Sequence, residues 1–526
     1  MKKIRYTLLC ASMLVITSCV GDLDQVPHNE TTSATVYAEA ANYKAVLGKL
    51  YTSFVTTGQE KAGGNADLSS NTGQDYMRCY FNLQQCGTDE LASTWLEGDK
   101  VRDLTYLSWD ANDPWVADMY YRIFYTVALC NEFLRHASDD QISRFTEAEQ
   151  TNIRQYRAEA RFIRALVYSH ALDFYGNLPF VTEADPVGKF IPPRYEAAQV
   201  FAFIESELKA IESELPDKGS CEYGRAPQAA AWALLARLYL NANVYTRTDR
   251  YTDCITYCNK VINAGYSIES DYRKLFNADN HKRTNEILFS LPVDALHTVT
   301  WGATTYIVCG QVSNTSDFQK PETYGVVSGW GMFRARGELP ALFDANDRRA
   351  LFFTEGQTQH VDVIDNQANG YFVEKWTNLT DAGTAASNTV DGGVNTDYPL
   401  FRLADVYLML AESVARGGAG STTAAAIGYL NQLRQRAFGD QYETSGKLKE
   451  ADLTKEFILD ERGRELYWEG VRRTDLIRYN KFTTAAYVWQ WKGGTKEGRA
   501  VDAKYNRYPI PATDLTANPN LKNENY

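Results

Sequence analysis

Apolar residues recur at helical spacing in several long stretches of the chain. Over 149–175, Ala158, Phe162 and Leu166 fall at this spacing, and the pattern ends before Gly176. The same spacing predicts further helices over about 195–214, 226–243, 248–264, 401–416 and 422–438. Consecutive helices form pairs of about 35 to 40 residues, which is close to the tetratricopeptide period. Because one pair cannot bury its apolar faces alone, we expect the pairs to stack into a scaffold.

Two blocks, about 60–110 and 265–400, lack this periodicity and are rich in Gly, Asn, Asp, Thr and Tyr. They hold only short strand-like runs, at 286–291 and 305–309. Long segments without regular structure inside a compact protein usually carry function, so we place the binding surface on these blocks. The helical scaffold is then expected over about 35–60, 113–264 and 401–480.

The first residues predict export and lipid attachment. Lys2, Lys3 and Arg5 precede a short apolar run that is too short to span a bilayer but fits an export signal. The run ends in Ile16-Thr17-Ser18-Cys19, which resembles a bacterial lipobox. We therefore predict a signal peptide over 1–18, an acylated Cys19 and a single tethered domain over 19–526. The alternative is an ordinary secretory signal, which would favour a small residue at position 19.

Charge and cysteine content limit the possible partners and the possible disulfide bonds. Lys and Arg total 54 against 66 Asp and Glu, so the 526-residue chain carries a net charge of −12. This acidity repels phosphate backbones and argues against nucleic acid as a partner. Of nine cysteines, loss of Cys10 and acylation of Cys19 leave seven, an odd number that argues against a complete disulfide framework. Buried thiols are the expected alternative.

The catalytic and cofactor-binding motifs that were sought in the sequence are absent. There is no H-E-x-x-H, no G-x-S-x-G, no phosphate loop and no dinucleotide fingerprint, so no enzyme is predicted. Adjacent carboxylates such as Asp89 and Glu90 are expected by chance among 66 acids. The charged segment 458–478 is interpreted as a helix held by salt bridges, with an anion site as the alternative.

Several motifs, in order along the whole chain, resemble the SusD/RagB family of Bacteroidetes outer-membrane lipoproteins. They include the mature start Cys19-Val-Gly-Asp-Leu-Asp-Gln-Val-Pro27, Ala158-Glu-Ala-Arg-Phe-Ile-Arg-Ala-Leu166, Phe401-Arg-Leu-Ala404 and Tyr508-Pro-Ile-Pro511. The resemblance implies a mainly α fold in which four tetratricopeptide-like helix pairs form a scaffold. Inserted loop-rich and short-strand segments would form the ligand face.

The same resemblance implies a location and a partner. Members of the family sit as a lid on a SusC-type TonB-dependent barrel in the outer membrane and deliver oligosaccharides to it. Asp22 and Asp24, which follow Cys19, fit the signal that displays such lipoproteins on the cell exterior. The implied protein binds an α-glucan, such as dextran or a starch-like chain, and has no catalytic residues.

Within the family, the chain is similar to a starch-binding member in which an arc of three aromatic residues, an arginine and an asparagine hold the glucan. The resemblance carries two aromatic positions onto Trp301 and Trp330 and the arginine onto Arg78. The third aromatic position is Ser93 and the asparagine position is Gly98, and Trp95 is a neighbouring tryptophan that could substitute. Indole rings suit this role because sugars have apolar C–H faces.

Two alternative functions remain open, and so does the metal content. A peptide-binding member of the family would not depend on Trp301 and Trp330, and a helical scaffold lipoprotein would bind no small ligand. Some relatives hold a structural calcium, and Asp279 and Asp397 fall near such positions. His281 and Asn395 stand where acids would be better ligands, so the metal content is left open. The tryptophans at 109, 115, 232, 468, 489 and 491 are expected in the core.

Overall fold

A computed structural model describes residues 33–60, 64–386, 393–524 and 526. The predicted signal peptide and Cys19 lie outside the described residues. Contacts divide the chain into two units, Met1–Tyr43 and Lys44–Tyr526. The single domain over 19–526 therefore stays a prediction.

The first unit is described from helix α1, Ser33–Val36, onward. The side-chain amide of Asn42 donates to the Val36 carbonyl at 2.8 Å, and the Tyr37 and Tyr43 rings meet edge to face. Helix α2, Asn42–Thr52, begins at the end of this unit.

Helices dominate the second unit, and the mainly α fold is confirmed. They are α3 (Tyr76–Gln85), α4 (Arg102–Tyr106), α5 (Pro114–His136), α6 (Asp139–Ile142), α7 (Glu147–Tyr175), α8 (Ala197–Ile211), α9 (Gln228–Leu240), α10 (Ala242–Thr246), α11 (Tyr251–Asn263), α12 (Ala303–Gly310), α13 (Leu403–Ala415), α14 (Thr423–Phe438), α15 (Lys455–Leu466), α16 (Arg472–Arg478) and α17 (Ala512–Ala517).

The long helices stack in chain order. In the series α5, α7, α8, α9, α11, α13 and α14, each helix packs on the next. Local sequence explains the boundaries of the longest one, because Thr146 and Glu149 form a capping box at its start. Gly176 ends it with a positive φ of 74°, a conformation that glycine adopts without strain. The predicted helices over 149–175, 195–214, 226–243, 248–264, 401–416 and 422–438 are confirmed within a few residues.

The strands are short and pair only in twos within the described chain. They are β1 (Ala92–Ser93), β2 (Leu178–Pro179), β3 (Arg194–Tyr195), β4 (Ile287–Leu291), β5 (Phe333–Arg334), β6 (Phe352–Phe353), β7 (Phe372–Val373) and β8 (Tyr398–Arg402). All four pairs, β1–β5, β2–β3, β4–β8 and β6–β7, are antiparallel. The predicted strand at 286–291 is confirmed as β4.

The predicted strand at 305–309 is wrong, because these residues belong to helix α12. Every residue of this helix is buried, so its apolar run has no polar face that would reveal a helical period. Its β-branched Thr304 and Thr305 favour a strand, but both hydroxyls are bonded to residues of the segment before β8. Tertiary packing therefore decides the conformation here.

The charged segment 458–478 is structural, as predicted. Its ion pairs are not confined to neighbouring positions on one helix. It forms two helices, α15 and α16, and its arginines reach carboxylates on other elements. Arg462 pairs with Asp405, and Arg472 pairs with Asp89. All these side chains are buried, so the segment ties the C-terminal helices to the rest of the second unit.

Burial agrees with most of the remaining expectations. Trp109, Trp115, Trp468 and Trp489 are buried, whereas Trp232 and Trp491 are only half-buried and the core assignment of these two was wrong. The described thiols at positions 79, 86, 130, 221, 254, 258 and 309 are free, and all but Cys221 are buried. Among the described helices, none has the length and apolar character needed to cross a membrane.

Candidate functional site

Two tryptophans that are far apart in sequence lie side by side at the surface. Trp301 precedes α12 and has 43 % of its surface exposed, and Trp330 is half-buried. Their ring centroids are 6.2 Å apart, and the ring planes are tilted by 60°. Neither indole N–H has a protein partner within the described ranges. The pair therefore presents a bent apolar surface that carries hydrogen-bond donors at its edges; we call this pair the tryptophan cradle.

The backbone that carries Trp301 is fixed by Asp75, which caps helix α3. One carboxylate oxygen of Asp75 accepts from the Arg78 amide at 2.8 Å and from the Ala303 amide at 3.2 Å, and the other accepts from the Thr300 hydroxyl at 2.6 Å. An added Cβ at Gly302 would lie 2.0 Å from this carboxylate. Glycine is thus required for the turn to approach α3 so closely.

The backbone that carries Trp330 is fixed by the end of α12. The Trp330 amide donates to the Cys309 carbonyl at 2.8 Å, and the Met332 amide donates to the Gly310 carbonyl at 2.9 Å. An added Cβ at Gly310 would meet the Phe333 ring at 2.6 Å. Helix α12 therefore sets the spacing of the two indoles, because its two ends hold the two segments that carry them.

Arg78 lies behind the cradle and is 5 % exposed. Its guanidinium donates to the Trp301 carbonyl at 2.6 Å, forms an ion pair with Asp99 and lies 4.0 Å from the centre of the Tyr306 ring. In this structure Arg78 supports the turn of Trp301, and its predicted contact with a ligand stays a prediction.

Asp99 was missed by the sequence analysis. Besides Arg78, its carboxylate accepts a hydrogen bond from the Tyr306 hydroxyl at 2.7 Å, while its backbone carbonyl accepts from the Trp115 indole at 2.7 Å. Burial raises the pKa of Asp99 although Arg78 opposes the shift. No spacing signal could have paired it with Arg78, because the rest of α3 and strand β1 separate the two residues along the chain.

Trp95 lies in the segment that runs beside the Trp330 segment. The Thr94 amide donates to the Met332 carbonyl at 2.8 Å, which continues the β1–β5 pairing, and Trp95 has 39 % of its surface exposed. Ser93 is buried, while Gly98 is exposed with open space where a side chain would stand. The structure thus brings the segment that carries Trp95 next to the segment that carries Trp330. Ser93 does not contribute to the surface.

The residues near the suspected calcium positions are already engaged with the protein. Asp397 accepts from the Tyr223 hydroxyl at 2.6 Å and from the Val293 amide at 2.8 Å, and Asp279 pairs with Lys282. In the described part of the chain, no group of three or more His, Cys, Asp or Glu side chains is placed to hold a metal ion. The adjacent Asp89 and Glu90 are both buried and face Arg472.

Comparisons with known proteins agree with the fold and with the sequence motifs. A family model described as "SusD family" matches residues 235–526, and one described as "Starch-binding associating with outer membrane" matches residues 23–240. The chain is 33 % identical to the starch-binding protein SusD of Bacteroides thetaiotaomicron, over 97 % of this chain and 96 % of that protein. The chain therefore belongs to the SusD/RagB family.

Solved structures share the architecture at lower sequence identity. The surface glycan-binding protein A of Bacteroides thetaiotaomicron, solved in complex with laminarihexaose, superposes with a TM-score of 0.70 at 18 % identity and covers 92 % of this chain and 99 % of its own. The protein of the same name from Bacteroides uniformis gives a TM-score of 0.69 at 20 % identity and covers 92 % and 99 %. At these identities the likeness concerns the fold alone.

Proposed function

We propose that this chain is a glycan-binding lipoprotein of the outer-membrane surface that stacks sugar rings on Trp301 and Trp330. The observation that carries the proposal is the tilted, partly exposed pair of indoles, 6.2 Å apart, on a backbone fixed from behind. Large apolar rings at the surface of a folded protein mark contact sites. The free indole N–H groups would donate to sugar hydroxyls at the edges of the same surface.

The geometry favours a curved glucan over a flat chain. Two rings tilted by 60° follow a ligand that bends between neighbouring sugar units, as helical glucans do. The starch-binding name of the relative at 33 % identity supports an α-glucan, such as dextran or a starch-like chain. Each aromatic contact contributes about 0.5–1.5 kcal/mol beyond area burial, so a short glycan is expected to bind with a high-micromolar to millimolar dissociation constant.

The same proposal includes anchoring and delivery. Acylation of Cys19 would tether the protein, and the family model that matches 23–240 is described as associating with the outer membrane. A SusC-type TonB-dependent transporter is the proposed receiver of the bound oligosaccharide. The protein would act by binding alone, which the starch-binding name of the relative at 33 % identity supports.

Isothermal titration calorimetry with the full chain tests the ligand class. Maltoheptaose and isomaltohexaose should release heat on binding, and laminarihexaose and a fructan serve as comparisons. The Trp301→Ala/Trp330→Ala variant should lose most of this heat while it unfolds at the same temperature as the wild type. The Val187→Ala variant, which removes an exposed apolar side chain elsewhere, should bind as the wild type does. Absence of binding to every glycan would refute the proposal.

A further inference from the structure

A second surface hollow lies on the helical scaffold, away from the loops that carry the cradle. It has a volume of about 540 Å³, within the range of small-ligand sites. Gln228 and Trp232 line it from α9, and Lys260 and Asn263 line it from α11. We propose that this hollow binds an uncharged sugar unit, as a second glycan-contact site on the same protein. The ligand class rests on the proposed function; the site itself rests on the residues below.

Part of the Trp232 ring does not pack into the core and faces the hollow. It is half-buried, although a tryptophan in an alanine-rich helix was expected to be internal. The indole N–H donates to Glu212 at 2.9 Å, and the Lys260 ammonium lies 5.8 Å from the ring centre. These contacts fix the orientation of the indole while part of the ring remains open to the hollow.

Two side-chain amides line the hollow without a partner. Neither the Gln228 nor the Asn263 amide is hydrogen-bonded to any residue in the described ranges. Each offers one acceptor oxygen and two N–H donors, which is the chemistry that reads a sugar hydroxyl. Gln228 lies one turn before Trp232, on the same face of α9, so the amide and the ring point into the same space.

The charges around the hollow cancel. Lys260 is paired with Glu212 at 2.8 Å. The Lys218 ammonium donates to the Gly265 carbonyl at 2.6 Å and lies 4.3 Å from the centre of the Tyr266 ring, and the acid Asp217 is its neighbour in sequence. Two lysines thus stand with two carboxylates, which gives no net attraction for an anionic ligand and suits a neutral sugar.

The contrast with a larger groove supports this assignment. That groove, of about 610 Å³, is lined by Tyr121, Phe124 and other apolar residues. Two of its polar side chains are engaged within the protein, since the Tyr121 hydroxyl is bonded to Thr513 and the Asn518 amide donates to the Pro192 carbonyl. With its Tyr121 and Asn518 groups already bonded, this groove offers a sugar hydroxyl few partners, whereas the Trp232 hollow combines an aromatic ring with two side-chain amides.

Fluorine NMR of the full chain labelled with 5-fluorotryptophan tests the inference. The Trp232 signal is assigned with the Trp232→Phe variant, and the protein is titrated with maltoheptaose, isomaltohexaose and laminarihexaose. We expect a saturable shift of the Trp232 signal that persists in the Trp301→Ala/Trp330→Ala protein. Gln228→Ala/Asn263→Ala should weaken this binding about 5-fold or more, because two hydrogen bonds are lost.

The Asn152→Ala/Gln155→Ala variant is the matched control, since it removes two amides on α7 that also have no described partner. It should leave the Trp232 titration unchanged. If the Trp301 and Trp330 signals shift but the Trp232 signal does not, the second site is overturned and the proposed function stands. If none of the three signals shifts with any glycan, the proposed function fails as well. An unchanged titration in Gln228→Ala/Asn263→Ala overturns the role of the amides.

Discussion

At the scale of single residues, the cradle depends on one buried ion pair. Asp99 neutralises Arg78, and Arg78 in turn holds the Trp301 carbonyl. Both side chains are largely buried, so each depends on the other for compensation of its charge. The exposed ring that would meet a ligand is thus positioned by residues that a ligand would not need to touch.

Replacement of Asp99 tests this dependence. Asp99→Asn leaves the Arg78 guanidinium buried without a carboxylate, and we expect a loss of about 3–5 kcal/mol in the free energy of unfolding together with weaker glycan binding. Urea denaturation and calorimetric titration measure the two effects. Asp103→Asn changes an exposed acid four residues away and should alter neither by more than about 0.5 kcal/mol. Equal effects of the two variants would contradict the role given to Asp99.

The two exposed tryptophans could be predicted from the sequence, because their residue type suits a sugar-binding surface. A residue whose role depends only on its neighbours in three dimensions could not be predicted. Trp301 and Trp330 lie in the loop-rich block on which the sequence analysis placed the binding surface. Asp99 carries no such mark, because its partners come from α3 and α12. Trp232 was expected in the core since it lies in a predicted helix of the stack, but the periodic pattern does not show which edge of the stack stays open.

At the scale of elements, helix α12 sets the distance between the two indoles of the cradle. Trp301 lies immediately before it, and Trp330 is hydrogen-bonded to its last turn. The long scaffold helices could be predicted because many apolar positions repeat over several turns. Helix α12 could not, because eight buried residues are as compatible with a central strand as with a helix.

A pair of glycine substitutions tests this role of α12. In Gly310→Ala the new methyl group would meet the Phe333 ring, which is buried and cannot move freely, so we expect a destabilisation of about 1–3 kcal/mol and weaker glycan binding. Gly428→Ala, inside α14, meets open space and should stabilise the protein by about 0.5–1 kcal/mol. Thermal and urea unfolding measure both. Unchanged binding in Gly310→Ala would show that α12 does not set the indole spacing.

At the scale of the whole molecule, buried ion pairs connect helices that are distant in sequence. Glu412 of α13 accepts from Arg478 of α16 at 2.7 Å and from Arg416 at 2.8 Å. Burial opposes ionisation of Glu412, but Arg478 and Arg416 outweigh it and lower the pKa of the carboxyl to about 2. The folded state therefore binds this proton more weakly than the unfolded state does.

The acid stability of the protein follows from this sign. The contribution of Glu412 is complete above its unfolded pKa, near 4.5, and is lost as the pH falls through about 2. We expect Glu412→Gln to reduce the free energy of unfolding by about 3 kcal/mol at pH 7 and by about 1 kcal/mol near pH 3, as measured by urea denaturation. Glu443→Gln, which removes an exposed ion pair with Lys447, should have no measurable effect. A difference that grows on acidification would contradict the sign.

The hydrogen bond from Arg78 to the Trp301 carbonyl affects the free energy of ligand binding. Arg78 already holds the backbone that carries this indole. A bound sugar therefore restricts only rotation about the side-chain bonds, at a cost of about 0.5–1.5 kcal/mol per ring. Weak stacking can then suffice for capture, and rapid dissociation follows from the same weakness. A protein that releases its glycan to a transporter, as proposed above, would gain from both properties.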